Sequence, residues 1–235
     1  AATEGDFVMA GVSGSGARIR LDFLAPGGGA TGRLLPTGNA LDVLEHGGRQ
    51  YRATLIDAAN ACVFLDAAEL GLTGTESPDA IEAQPAIMAL LDALRRVAAV
   101  RMGIAETPEA APLAIPKVAV VSAPADYRAL DGATIAAATH EVAVRMISME
   151  RAHRAVPLTG GMALGVACRV EGSLPQLIAA PPRDEEVRLA NPSGILSVGA
   201  EVRREGTGWF AESAVVFRSA RRLMQGSVAV PIRLL

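Results

Sequence analysis

Aromatic residues are scarce. Phe, Trp and Tyr make up 3% of the 235 residues, so a core must be built from Ala, Val, Leu, Ile and Met. Cysteine is nearly missing, and Cys62 with Cys168 cannot form a disulfide framework. Both sit in apolar runs and read as small buried hydrophobes suited to a reducing compartment, so the expected location is cytoplasmic. No apolar run reaches the roughly 18 residues of a membrane span, and no signal-peptide pattern is read. Positive charge is not in excess: 22 basic against 25 acidic residues give a formal charge of −3, which argues against nucleic acid or an anionic membrane as partner. The three histidines, His46, His140 and His153, show no ligand spacing, so no metal is expected. A P-loop, a dinucleotide fingerprint and a nucleophile elbow are all missing, so no cofactor and no activated nucleophile are read.

Half of the residues are apolar, enough for a real core. In ARIRLDFL the apolar Ile19, Leu21 and Phe23 alternate with Arg18, Arg20 and Asp22, the period of a half-buried strand. Gly27–Gly29 end it, and Leu34–Asn39 reads as a turn. A hairpin follows, with strands near Asp42–His46 and Gln50–Asp57 around Gly47-Gly48, then a strand CVFLD after Asn60. Ser77 and Pro78 read as cap and first residue of a helix. Pro85 opens a longer helix with Ile87, Leu90, Leu91, Leu94 and Val97 on one face, Asp92, Arg95 and Arg96 off it, and Gly103 as its stop. Glu106–Pro116 reads as a surface connection. KVAVVSA and EVAVRMIS read as strands around a loop of weak helical character from Ala125 to Thr139, with His140 at a strand edge. The segment Thr159–Val170 is apolar almost all round, so a helix there must be wrapped on every side. The stretch from Gly194 to Val230 reads as a meander of three strands. The sum is an α+β fold in which a curled β-sheet is wrapped around a central apolar helix.

HRAVPLTGGMALG, from His153 to Gly165, is the strongest local signal. Thr159 stands as N-cap, and Gly160-Gly161 fall in the first turn. A helix start points free N–H groups outward, and glycines remove Cβ atoms that would block an anion. Close packing of a buried helix end explains the same glycines equally well. Asn60, between apolar strand segments, must pair with backbone or face a pocket. Asn191-Pro192-Ser193-Gly194 is a turn that could present Ser193 to a ligand. His153 lies just before the glycine-rich start. Asp184-Glu185-Glu186 reads as a solvated loop.

Taken together, LDFL with TGRLLPTGN, LIDAANACVFLDAAELGLTGTE, VRMISMERAHRAVPLTGGMALGVA, and NPSGILSVGAEV with SARRLMQGSVAVP resemble the PrpF family. That family comprises 2-methylaconitate isomerases and relatives acting on oxalomesaconate and methylitaconate. The resemblance runs from about Gly5 to Pro231. It implies a fold similar to diaminopimelate epimerase, with two domains each curling strands around a helix and a cleft between them. It also implies substrate carboxylate at Thr159, Gly160 and Gly161, and a substrate-binding Asn at Asn60, where Ala61 replaces the usual Pro. The family's Cys loop and proton-handling Lys find no counterpart: Cys62 and Cys168 are not in such a loop, and Lys117, the single lysine, does not match.

The expectation is therefore a cofactor-independent isomerase or tautomerase of an unsaturated di- or tricarboxylate. Residues 1–195 would be its second domain, and 196–235 final strands returning to a first domain mostly absent from the chain. Ala1 in place of a Met agrees with a processed or truncated chain. Asn60, His153, Thr159, Gly160, Gly161 and Ser193 would bind substrate, and the isolated chain would be inactive. The long apolar strands also fit a homo-oligomer. The rival reading is a non-catalytic module that binds an anionic metabolite or pairs with another chain.

Overall fold

The computed structural model describes residues 4–9, 12–222 and 224–230. Its strands are β1 (Phe7–Val8), β2 (Ser15–Leu24), β3 (Asp42–His46), β4 (Arg49–Ala58), β5 (Asn60–Asp66), β6 (Lys117–Ser122), β7 (Tyr127–Arg128), β8 (Thr134–Ile135), β9 (Val142–Ser148), β10 (Arg151–Ala152), β11 (Glu186–Asn191), β12 (Gly194–Glu205) and β13 (Gly208–Ala220). Its α-helices are α1 (Pro78–Glu82), α2 (Pro85–Arg101), α3 (Leu158–Ala167) and α4 (Leu174–Ile178).

One mixed sheet runs β1-β2-β13-β12-β11-β9-β6-β5-β4-β3, with β10 folded back on β9. The pairs β5–β6 and β9–β11 are parallel, and the other pairs are antiparallel. The sheet curls until its walls nearly meet. The segment after β2 spans the gap: Ala25 N–H donates to the Glu212 carbonyl at 2.8 Å, and Gly28 N–H to the Asp57 carbonyl at 2.8 Å. The buried Asp57 carboxylate fastens this segment, accepting from the amides of Ala30 and Thr31 at 2.7 Å each.

Inside the curl lies α3. Its residues from Gly160 to Ala167 are all buried, against β4, β5, β11, β12, β13 and α4. Glycine is required here by close approach. A Cβ on Gly165 would meet Val198 Cγ1 of β12 at 2.5 Å, and a β-branched side chain in a strand cannot rotate away. On the outer face, α2 packs Leu91, Leu94 and Ala98 against Leu55, Val63, Val118 and Val120. The central strands β4 to β6 are thus covered on both sides, which explains their unbroken apolar runs.

The hairpin, the Ser77 cap (its Oγ accepts from Ala80 N–H at 3.1 Å) and α2 fall where the sequence predicts. Other expectations need correction. Arg95 is not off the buried face: it is 3% exposed, and its guanidinium reaches the Pro112 carbonyl at 2.6 Å and Asp92 at 2.9 Å. His140 is no edge residue but 1% exposed, packed edge-to-face on Tyr127. Residues 125–139 hold the small hairpin β7–β8, which the sequence reading did not place, and their weak helical character is met by a 3-10 turn at Ala137–Thr139. Glu186 of the acidic run opens β11, and α4 is an element the sequence reading did not place. Residues 194–220 make two long strands, not three; residues 221, 222 and 224–230 carry no strand, and Leu223 lies outside the described residues. Both strands sit inside the sheet between β11 and β2, so a division at residue 195 falls at the start of β12.

Candidate functional site

The site is the open end of the wrapped helix. The β4–β5 connection is as tight as a hairpin allows: Ala58 pairs with Asn60, leaving Ala59 alone at the tip with φ of 59°. A side-chain-bearing residue rarely adopts this left-handed conformation. Ala59 is held there by its N–H donating to the Pro26 carbonyl at 2.7 Å. The alternation of β5 then sends Asn60 to the same face as the buried Cys62 and Phe64, toward α3. Asn60 Nδ2 donates to Thr159 Oγ1 at 3.2 Å, while Asn60 Oδ1 is buried with no partner among the described residues.

Thr159 is not the N-cap. The cap position falls two residues earlier, at Pro157, so the helix starts at Leu158, and no side chain caps it. The amides of Leu158, Thr159 and Gly160 find no acceptor among the described residues, whereas Gly161 N–H already donates to the Pro157 carbonyl at 2.8 Å. Gly161 therefore drops out as an anion donor. The glycines also do not clear space for a ligand. A Cβ on Gly160 would collide with the Met146 thioether, and one on Gly161 would meet Leu196 Cδ2 at 2.7 Å. Their small size serves packing, and three helix-start N–H groups, the Thr159 hydroxyl and Asn60 remain to face an anion.

His153 lies beside the same end of the sheet. Its N–H donates to the Met146 carbonyl at 2.8 Å, and its ring Nε2 is buried without a partner among the described residues. Burial pushes its imidazole below the ordinary value, and the charge of Lys117 pushes the same way, so the ring is neutral at pH 7. Ser193 does not present a free hydroxyl. Its Oγ donates to the Arg154 carbonyl at 2.7 Å, and its N–H to Asn191 Oδ1 at 3.1 Å. It pins the loop that feeds α3 rather than pointing at a ligand.

Lys117 is the residue that sequence reasoning missed. It opens β6 in register with Cys62 and, by the alternation that turns Ala119 and Val121 toward α3, faces the same rim. Its Nζ donates to Ser148 Oγ at 2.9 Å. Burial holds the Cys62 thiol up at about 12, so this cysteine is no nucleophile. The rim thus gathers hydrogen-bond donors and one ammonium from α3, β5, β6 and the β9–β10 region. Among the described residues no group of three or more His, Cys, Asp or Glu side chains could hold a metal ion, and no helix is long and apolar enough to cross a membrane. A cavity of about 440 Å³ between α2 and the β9–β10 turn is lined in part by Ser148, the partner of Lys117, but not by Asn60, Thr159 or His153.

The histidines also set a pH response. Burial pushes His140 below its ordinary value; the Ala136 backbone and Glu141 oppose it, and nearby Arg145 and Arg183 act in the same direction as burial. With both His140 and His153 depressed, the unfolded chain binds protons first as pH falls below about 6.5, so stability falls there and is unaffected above it. Urea midpoints at pH 7.5 and 5 should show this loss, and His140→Phe should reduce it. Equal slopes in the two proteins would contradict the assignment.

A curled mixed sheet around an apolar helix, with hydrogen-bond donors gathered at the helix start, defines an α+β protein. The family model described as PrpF protein matches residues 1–231, and the chain belongs to the PrpF family. It is 39% identical over 233 residues to a 2-methyl-aconitate isomerase of Shewanella oneidensis, covering 97% of this chain and 59% of that protein. It is 34% identical over 236 residues to a 3-methylitaconate isomerase of Eubacterium barkeri, covering 98% and 61%. The crystal structure of a methylitaconate-delta-isomerase superimposes with a TM-score of 0.88 at 31% identity, over 97% of this chain and 59% of that one. The chain thus spans about three fifths of the length of these relatives, all of them isomerases.

Proposed function

We propose that this chain is the carboxylate-binding part of a cofactor-independent isomerase of PrpF type, which shifts a proton and a double bond in an unsaturated di- or tricarboxylate resembling 2-methylaconitate. The observation that carries the reading is the pairing of Asn60 with Thr159 at the uncapped start of α3, where three amides have no acceptor among the described residues. The substrates named for the relatives, methylaconitate and methylitaconate, share a double bond next to carboxylates. Moving a proton in such a molecule builds enolate-like charge on a carboxylate. Donors fixed beforehand at that carboxylate stabilise the charge without reorganising. In this reading Leu158, Thr159 and Gly160 hold the carboxylate, Asn60 orients it, and His153 borders it. The arrangement fits a diaminopimelate epimerase-like fold, with residues 1–195 as a second domain and the remaining strands returning toward a first. The base and acid belong to the two fifths of the relatives' length that this chain does not match. Nothing on this rim is an activated nucleophile, which also supports the rival role of a binding or assembly module.

Calorimetric titration with trans-aconitate tests the reading. Saturable one-to-one binding is expected, together with little or no deuterium incorporation from D2O into the ligand. An absence of binding would remove the proposed pocket. Rapid isomerisation by this chain alone would overturn the division of roles.

A further inference from the structure

We propose that Lys117, backed by the Ser148 hydroxyl, is the cationic anchor for a second carboxylate of the substrate whose first carboxylate sits at the start of α3. The inference rests on the reading above and extends it from a carboxylate in general to a molecule carrying two. Lys117 is the single lysine of the chain, whereas every other basic side chain is Arg or His. It is half-buried, yet it forms no ion pair among the described residues. Its one hydrogen-bond partner is the neutral Ser148 Oγ at 2.9 Å. The nearby Asp57 carboxylate is occupied by the Ala30 and Thr31 amides and by Thr31 Oγ1 at 3.0 Å. A partly desolvated ammonium without a counter-ion is costly and favours an anion brought from outside.

The placement fits such an anion. Cys62 faces Lys117 across the parallel β5–β6 pair, and Asn60 stands two residues before Cys62 on the same face. Strand spacing then puts the Lys117 and Asn60 Cα atoms roughly 8 Å apart, from about 4.8 Å across and 6.6 Å along the strands. Met146, two residues before Ser148, packs on Gly160 in the first turn of α3, so the Ser148 end of β9 lies beside the helix start. His153 borders both positions: its amide is held by Met146, and its ring senses the Lys117 charge. Lys117 is a compact ammonium with three donors; one goes to Ser148 and two remain for a carboxylate. It binds and positions substrate and moves no proton in this proposal.

Biosynthetic labelling with 13C-lysine leaves the ammonium and its donors intact and yields one lysine Cε resonance, because the chain has one lysine. Trans-aconitate should shift that resonance in a saturable way, with the dissociation constant that calorimetry gives. Lys117→Met should weaken trans-aconitate roughly tenfold or more, the scale of a lost charge-assisted hydrogen bond, and Lys117→Arg should restore part of the loss. If Lys117→Met fails to fold, the resonance in the native protein still decides the question. Trans-aconitate binding that leaves the lysine resonance unmoved, or that survives Lys117→Met unchanged, overturns the anchor while the helix-start reading stands. No binding at all removes both.

Discussion

Asn60→Asp should weaken trans-aconitate binding by at least about fivefold and leave the protein as stable as before or slightly more so. Asn60 Oδ1 is buried without a partner among the described residues, and Nδ2 points at Thr159 of the helix start. A carboxylate in its place meets the substrate carboxylate as a like charge. At about 4 Å that repulsion is on the order of 1 kcal/mol in water and about 4 kcal/mol at the effective dielectric of a protein surface, roughly a fivefold to a thousandfold loss of affinity. The folded protein responds with the opposite sign. A negative side chain beside an uncapped helix start gains about 0.3–1 kcal/mol from the helix dipole, and the Thr159 hydroxyl can donate to it. Lower affinity with undiminished stability separates a binding role from a structural one. Calorimetry and urea unfolding on the same sample measure the two quantities. Unchanged affinity would contradict the site.

Leu164→Ala should cost about 3 kcal/mol of stability, within the range of about 2–5 kcal/mol for such truncations in cores. Leu164 is fully buried at the middle of α3 in the main core cluster. Its surroundings are strands tied to one another by hydrogen bonds, and these cannot collapse onto the space left behind. The loss is a large part of the roughly 5–15 kcal/mol that holds a domain together. Val43, 43% exposed on β3, is the control, and its truncation should stay within about 0.5 kcal/mol. A Leu164→Ala loss below about 1 kcal/mol would mean that α3 is not sheathed as described.

Much of this architecture was legible along the chain, because its signals are local. The Gly47-Gly48 hairpin, the Ser77-Pro78 helix start and the breaker at Gly103 each need only a few neighbours. The helix apolar on all sides could be read as wrapped because no polar face was left for water. Ser173 with Pro175 is a further Ser-capped, Pro-containing helix start and carries a local signal for α4, since Ser173 Oγ accepts from Gln176 N–H at 3.2 Å. What stayed hidden depends on contacts between distant residues. Lys117 became a rim residue only through its register with Cys62, and composition cannot supply register. For Gly160 and Gly161 the sequence leaves ligand space and close packing open, and only the distant Met146 and Leu196 decide for packing. Arg95 and His140 carry polar tips on bodies that bury well, so residue type misplaces them. Asn60 and Thr159, 99 positions apart, were each singled out, but their hydrogen bond belongs to the fold alone.

An amide-resolved NMR titration with trans-aconitate tests the central claim most directly. The account predicts that the 15N–1H resonances of Leu158, Thr159 and Gly160 move together and saturate at one dissociation constant, while Gly161, already bonded to Pro157, moves least. Saturable binding whose shifts fall elsewhere, with these three amides unmoved, would contradict it.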